Sequence, residues 1–273
     1  MFRMFMNTDT SSMSGTYITR SKEGFFLIKV TKSFTEGSFG VRVTPVSRGE
    51  DGVSVSNTTC LDIEISRTFS ENSAEKDYLS FDERCSLFEP MKRGSGTHQM
   101  LMSTLSLCKK LFGVAKFCLS DASTFFCPSA DGEVDLAPHN LFVYGESWYE
   151  RKFNARPYSV QDSQMWENSK TLLKKRVSRD QGDRIKRMIE VIYRDDSEER
   201  EEFLDIVEQS IDDLTFNGMF ESINYPEGGC AFFTGRMMDL LTGMFEVPLI
   251  DRWYIPVSDD EASTYLVAYE KIE

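Results

Sequence analysis

The residues best suited to chemistry gather in two short stretches. The first is Arg93-Gly94-Ser95-Gly96-Thr97, where a strand-like pattern gives way to a helix-like one. Glycines at such a point let the backbone turn sharply and come close to a ligand. The helix start that follows brings unpaired N–H groups and the positive end of a dipole, which suit a phosphate. Arg93 adds a guanidinium able to hold a phosphate at two points. The pair Gly94-x-Gly96 lacks the third glycine of a dinucleotide-binding turn, and no Gly-Lys-Ser/Thr follows it as in a P-loop. Taken alone, it reads first as a plain tight turn. The second stretch, LFVYGESWYERKFNARPY over 141–158, sets Phe142, Tyr144, Trp148, Tyr149, Phe153 and Tyr158 among Glu146, Glu150, Arg151, Lys152 and Arg156. It fits a core helix, a base-stacking surface or the wall of a small-molecule site. Its glutamates would repel a nucleic-acid backbone, which disfavours stacking.

The totals narrow the classes. A chain of 273 residues can bury one sizeable core, or one core with a large appendage. A formal net charge of −13 argues against a general binder of phosphate backbones, so nucleic acid is an unlikely partner. No apolar run reaches the length of about 18 residues that a membrane span needs. The opening MFRMFMNTDTSSMSG has too short an apolar patch for a secretion signal. Cys60, Cys85, Cys108, Cys118, Cys127 and Cys230 are scattered and form no CxxC pair, and with only His98 and His139 to join them a zinc site has no support. The cysteines read as mostly buried free thiols, which places the chain in a reducing, intracellular compartment.

The elements that must position the two stretches follow from periodicity. Residues 1–15 read as a loose tail. FFLIKV, TEGS and FGVRV form a hairpin, SRGEDGVSVSN a loop, and CLDIEIS an alternating half-buried strand. FSENSAEKD reads as a polar loop, and YLSFDERCSLFEP as a further strand or strand pair ending at Pro90. In the next segment Leu101, Leu105, Cys108 and Phe112 recur at helical spacing, Lys109 and Lys110 suit the last turn, and Gly113 is the stop. VAKFCLS then gives a short strand. Strand, glycine turn, helix and strand make a βαβ unit, whose strands normally run parallel. His139, after Pro138, falls in a loop. Past Pro157 come three charged helical segments: one capped by Ser159, one with Ile185, Met188, Ile189 and Ile192 in register, one with Phe203, Val207, Ile211 and Leu214. A helix near 231–244 follows PEGG, and the end reads as two strands around an acidic turn.

This order resembles the GNAT acetyltransferase superfamily over roughly residues 60–156. MKRGSGT is similar to that family's pyrophosphate-binding turn, LSDASTF to the following strand end, and WYERKFNARPY to its tyrosine-bearing helix. Two departures stand out: Met91 occupies the place of the family's Arg or Gln, and no glycine precedes Phe153. The combination of GSGT, LSDAS and YGESWYERKF also resembles proteins of nucleocytoplasmic large DNA viruses. The first resemblance implies an α/β fold with a GNAT-like twisted mixed sheet, flanking helices and a C-terminal helical extension. It divides the chain into a tail (1–15), a GNAT-like core (16–158), the helical extension (159–250) and strands returning to the core (251–273).

What it implies chemically is direct transfer of an acetyl group from acetyl-CoA to an amine, without a metal or a covalent enzyme intermediate. Arg93, Gly94, Ser95, Gly96 and Thr97 would hold the pyrophosphate. Tyr149 would protonate the leaving thiolate, with Tyr144 in reserve, since a phenol titrates near about 10. Asp121 and Glu146 would contact the substrate. The base stays open among Asp121, Glu146 and Glu150, with Glu64 or Glu89 acting through water. The rival reading is a GNAT-like protein without catalysis, a minor virion or capsid component whose partners are proteins.

Overall fold

Alternation of apolar and polar residues lays down a sheet in the first part of the chain, and helical periodicity takes over in the second. A computed structural model describes residues 14–20, 25–32, 38–49, 52–55, 61–68, 73–75, 79–81, 95–113, 116–120, 124–194, 197–225, 229–250, 252–266 and 268–272. The protein is mixed α/β and divides into two compact units, Met1–Ser120 with Tyr254–Glu273, and Asp121–Trp253.

The first unit starts with β1 (Gly15–Arg20), β2 (Phe25–Lys32), β3 (Ser38–Gly49), β4 (Gly52–Val55), β5 (Leu61–Thr68), β6 (Ser73–Glu75) and β7 (Leu79–Phe81). Helix α1 (Ser95–Phe112) and strand β8 (Lys116–Ser120) follow. The second unit holds β9 (Thr124–Cys127), β10 (Gly132–Asp135), α2 (Leu136–Tyr144), α3 (Trp148–Phe153), β11 (Arg156–Pro157), α4 (Val160–Leu173) and α5 (Arg179–Ile192). It continues through α6 (Ser197–Ser210), α7 (Phe216–Asn224), a 3₁₀ turn (Gly229–Phe233) and α8 (Gly235–Met244). The unit boundary falls within β12 (Arg252–Pro256), and α9 (Asp259–Tyr265) and β13 (Ala268–Lys271) complete the first unit.

The sheet of the first unit runs β8-β6-β5-β3-β2-β1-β13, with β4 beside β3 and β7 beside β5. The β2–β3 hairpin forms as its alternation predicts, with Val30 opposite Val41. The segment that reads as a loop after β3 is instead a second hairpin, because Gly49 and Gly52 pair and Val53 and Val55 alternate along β4. β8 runs parallel to β6, with Ser73 opposite Lys116. The crossover therefore starts from a short strand inside the polar FSENSAEKD segment. The strand nearest the glycine turn, β7, pairs antiparallel with β5.

Helix α1 ends where its sequence says, at Gly113 with φ 71. It is more deeply set than one apolar stripe requires: every residue from Met100 to Cys108 is buried, including Ser103, Thr104 and Ser106. A helix covered on all sides needs neighbours on both faces. One is α9, formed by residues 259–265, where the sequence reads as an acidic turn up to 263 and the start of a strand from Thr264. Ser103 donates to the Tyr265 carbonyl (2.9 Å), His98 meets the Tyr265 ring edge-on, and Lys109 reaches Asp259 (3.2 Å) and the Val257 carbonyl.

The second unit packs its helices around phenylalanines. Phe142 touches Phe220 and Phe245, Phe245 touches Phe216, and Phe220 reaches Phe232 and Phe233. All of these rings are buried, and their edge-to-face contacts add to the stability that burial gives. The three helical segments after Pro157 are α4, α5 and α6. Ser159 caps α4 by accepting from the Asp162 amide (3.1 Å). Ile185 and Ile189 face inward from α5, and Phe203 and Val207 from α6. Leu214 is 38% exposed, because α6 stops at Ser210 and the chain turns before α7.

Candidate functional site

The residues proposed for pyrophosphate fall at the front of α1. Ser95, Gly96 and Thr97 form its first turn, the part of an α-helix whose backbone N–H groups gain no intrahelical partner. Arg93, Gly94 and Asp121 lie outside the described residues. Tyr144, Glu146 and Tyr149 belong to the second unit, and the Ser95–Gly96–Thr97 turn to the first.

Tyr149 is packed away. It is 6% exposed, with its ring 5.7 Å from that of Trp253 and 5.4 Å from that of Trp148; Trp253 in turn meets Trp166 edge-on at 5.2 Å. Local sequence puts it there. Ser147 starts α3 with a capping box, its hydroxyl accepting from the Glu150 amide (3.1 Å) while the Glu150 carboxylate accepts from the Ser147 amide (2.7 Å). One turn of helix then carries Tyr149 and Phe153 inward. Tyr144 is 48% exposed at the end of α2, and the Arg151 guanidinium lies 4.6 Å from the centre of its ring. Arg151 also donates to Asn140 Oδ1 (3.0 Å). Glu146 is half-buried between the two tyrosines in sequence.

Glu150, one of the residues among which the base stays open, ties two helices together. Its Oε2 accepts from the Ser147 amide and from Trp166 Nε1 (2.9 Å), and its Oε1 pairs with Lys170 Nζ (3.0 Å). A carboxylate spread over three donors holds α3 to α4. Lys170 also pairs with Glu167 (2.9 Å). Burial favours loss of its proton, yet the bonds and charges of Glu167 and Glu150 outweigh this and hold its pKa above the usual value. The signal in the sequence that could have found this cap is the Ser147-x-x-Glu150 spacing of a capping box. Trp166 and Lys170 sit on another helix and left no such signal.

His139 lies within α2, not in a loop: Pro138 occupies the first turn, where a missing N–H costs nothing. The imidazole is buried, 4.9 Å from the rings of both Phe125 and Phe233, with Nε2 3.0 Å from Asn224 Oδ1. The amide oxygen accepts, so Nε2 carries the proton. Burial holds this histidine below its ordinary pKa, against the Asn224 hydrogen bond.

The cysteines also depart from expectation. Cys127 and Cys230 form a disulfide across a separation of 103 residues, too distant in sequence for spacing to reveal. Cys108 is a free and buried thiol that burial pushes up to about 12, and Cys118 is buried as well. Cys60 and Cys85 lie outside the described residues.

Among the described residues no group of three or more His, Cys, Asp or Glu side chains is arranged to hold a metal ion, and no helix is long and apolar enough to cross a membrane. The chain matches no protein-family model, no curated protein and no solved structure among those compared with it.

Proposed function

We propose that the chain acts without catalysis, as an interaction protein whose first unit keeps a GNAT-like sheet and whose helical second unit serves protein partners, in keeping with a minor virion component of a large DNA virus. The observation that carries this reading is the use of Tyr149 and Glu150 as core structure. A general acid must reach the leaving thiolate within hydrogen-bond distance. A phenol set between two indoles and 6% exposed has first to be uncovered. Glu150 is occupied by three donors. The net charge of −13 favours partners with cationic faces. The Cys127–Cys230 bond favours a particle over the reducing cytosol as the place of work.

The second reading, acetyl-CoA-dependent transfer to an amine, draws on a separate observation. α1 begins at Ser95-Gly96-Thr97 after an antiparallel sheet, and β8 returns parallel to β6, which is how a βαβ crossover offers amides to a diphosphate.

Thermal denaturation with acetyl-CoA separates the two. A ligand at a hundredfold its Kd adds about 2.7 kcal/mol to the folded state. The interaction reading expects no shift in Tm at millimolar acetyl-CoA, together with stoichiometric recovery from purified particles. A rise of several degrees, abolished by Gly96→Phe and accompanied by turnover that Tyr149→Phe slows, would establish the enzyme instead.

A further inference from the structure

The disulfide joins the end of β9 to the 3₁₀ turn, and its two sulfurs differ in their surroundings. Cys127 is fully buried, whereas Cys230 is half-buried. Ser129, exposed in the turn between β9 and β10, has its Oγ 3.2 Å from Cys127 Sγ and 3.5 Å from Cys230 Sγ. A bonded sulfur carries no proton, so the donor toward the disulfide is the single Ser129 O–H, shared between the two sulfurs. We propose that this disulfide is a thiol-exchange site, a clasp on the β9–β10 hairpin that a small monothiol of the glutathione class opens by attacking Cys230.

The step follows from access and leaving-group chemistry. Exchange runs through a thiolate attacking one sulfur and expelling the other, and its rate depends on which sulfur is reachable and how well the departing thiolate is stabilised. The incoming thiolate forms a bond to Cys230 Sγ as the Cys230–Cys127 bond breaks. Cys127 leaves with the electron pair, receives the Ser129 O–H as a hydrogen-bond donor, and then takes a proton from water. A second monothiol attacks the mixed disulfide on its own sulfur and frees Cys230. Two electrons pass from two thiols to the protein, and the reagent ends as its own disulfide. Cys108 and Cys118 are buried in the first unit, and the raised Cys108 thiol is a poor competitor.

Opening the clasp leaves the hairpin with weaker ties. Phe125 of β9 still rests on His139, and His139 on Phe233 of the 3₁₀ turn. These contacts hold the hairpin near its place but no longer fix it. The phenylalanine core around Phe142, Phe220 and Phe245 does not run through the sulfurs. Local loosening is therefore the expected result, with the remaining helices unaffected.

The test treats the folded, oxidised protein with reduced glutathione, quenches with acid, and maps adducts and free thiols by peptide mass spectrometry. Hydrogen exchange is followed in parallel. The glutathione adduct is expected on Cys230 with Cys127 as the free thiol. Ser129→Ala should slow opening about fivefold, the equivalent of one ordinary hydrogen bond; its exchange protection before reduction must equal that of the parent, which shows that it is folded. On reduction, protection over 124–135 should fall at least tenfold while α5 and α7 keep theirs. Any of four results overturns the proposal: an adduct on Cys127, reduction only in denaturant, Ser129→Ala opening at the parent rate, or loss of protection across the whole second unit at once.

Discussion

Replacing Glu150 by alanine tests the claim that its carboxylate belongs to the framework. The change removes the acceptor for two donors that water cannot reach, the amide of Ser147 and Nε1 of Trp166, in residues 0% and 1% exposed. A buried donor left without a partner costs about 1–3 kcal/mol. The Lys170 pair counts for less than about 1 kcal/mol, because the lysine is partly exposed and keeps Glu167. Together these give a loss of roughly 2–7 kcal/mol. With about 2–4 °C of Tm per kcal/mol for a chain approaching this size, the melting temperature should fall by about 4–28 °C. Urea denaturation measures the loss, and a double-mutant cycle with Trp166→Phe locates it. Once the indole N–H is gone, the carboxylate has one fewer buried donor to satisfy, so the two changes should couple by about 1–2 kcal/mol. A loss under about 1 kcal/mol for Glu150→Ala, or strict additivity with Trp166→Phe, would refute the framework role and return Glu150 to the candidates for a base.

Three further outcomes follow from the geometry. His139 has a lowered pKa in the folded protein, so below the unfolded value of about 6.5 the unfolded chain binds more protons; the stability from this group is full above that pH and falls as pH drops towards the folded value. Urea midpoints at pH 7.5 and 5.5 should therefore differ more for the parent than for His139→Phe, and equal differences would exclude this source. Gly229→Ala should cost on the order of 2–4 kcal/mol, because a β-carbon there meets the Ile223 carbonyl oxygen at 2.1 Å and the Asn224 Cα at 2.9 Å, and backbone must move. Gly182→Ala should cost less by the same assay: its β-carbon meets side chains and no backbone, crowding Ile211 at 2.7 Å and touching Val177 at 3.6 Å, and alanine recovers about 1 kcal/mol of helix propensity.

Much of the local structure can be read directly from residue order. Alternation in FFLIKV and FGVRV defines the β2–β3 hairpin, Gly113 ends α1, and Ser159 starts α4, because each depends only on neighbours within one strand or one turn. Tertiary structure decided the rest. The three residues of β6 are too few and too polar to announce a strand, and they become one only because β5 and β8 supply partners on either side. Residues 259–265 read as an acidic turn running into a strand at Thr264, yet they fold as a helix against the buried α1. The same holds for the chemistry. Tyr149 and Glu150 carry side chains fit for proton transfer, and residue type alone cannot say whether they face a substrate or two tryptophans and a lysine. That depends on where Trp166, Lys170 and Trp253 return in space, just as Cys127 finds Cys230 only across a sequence separation of 103.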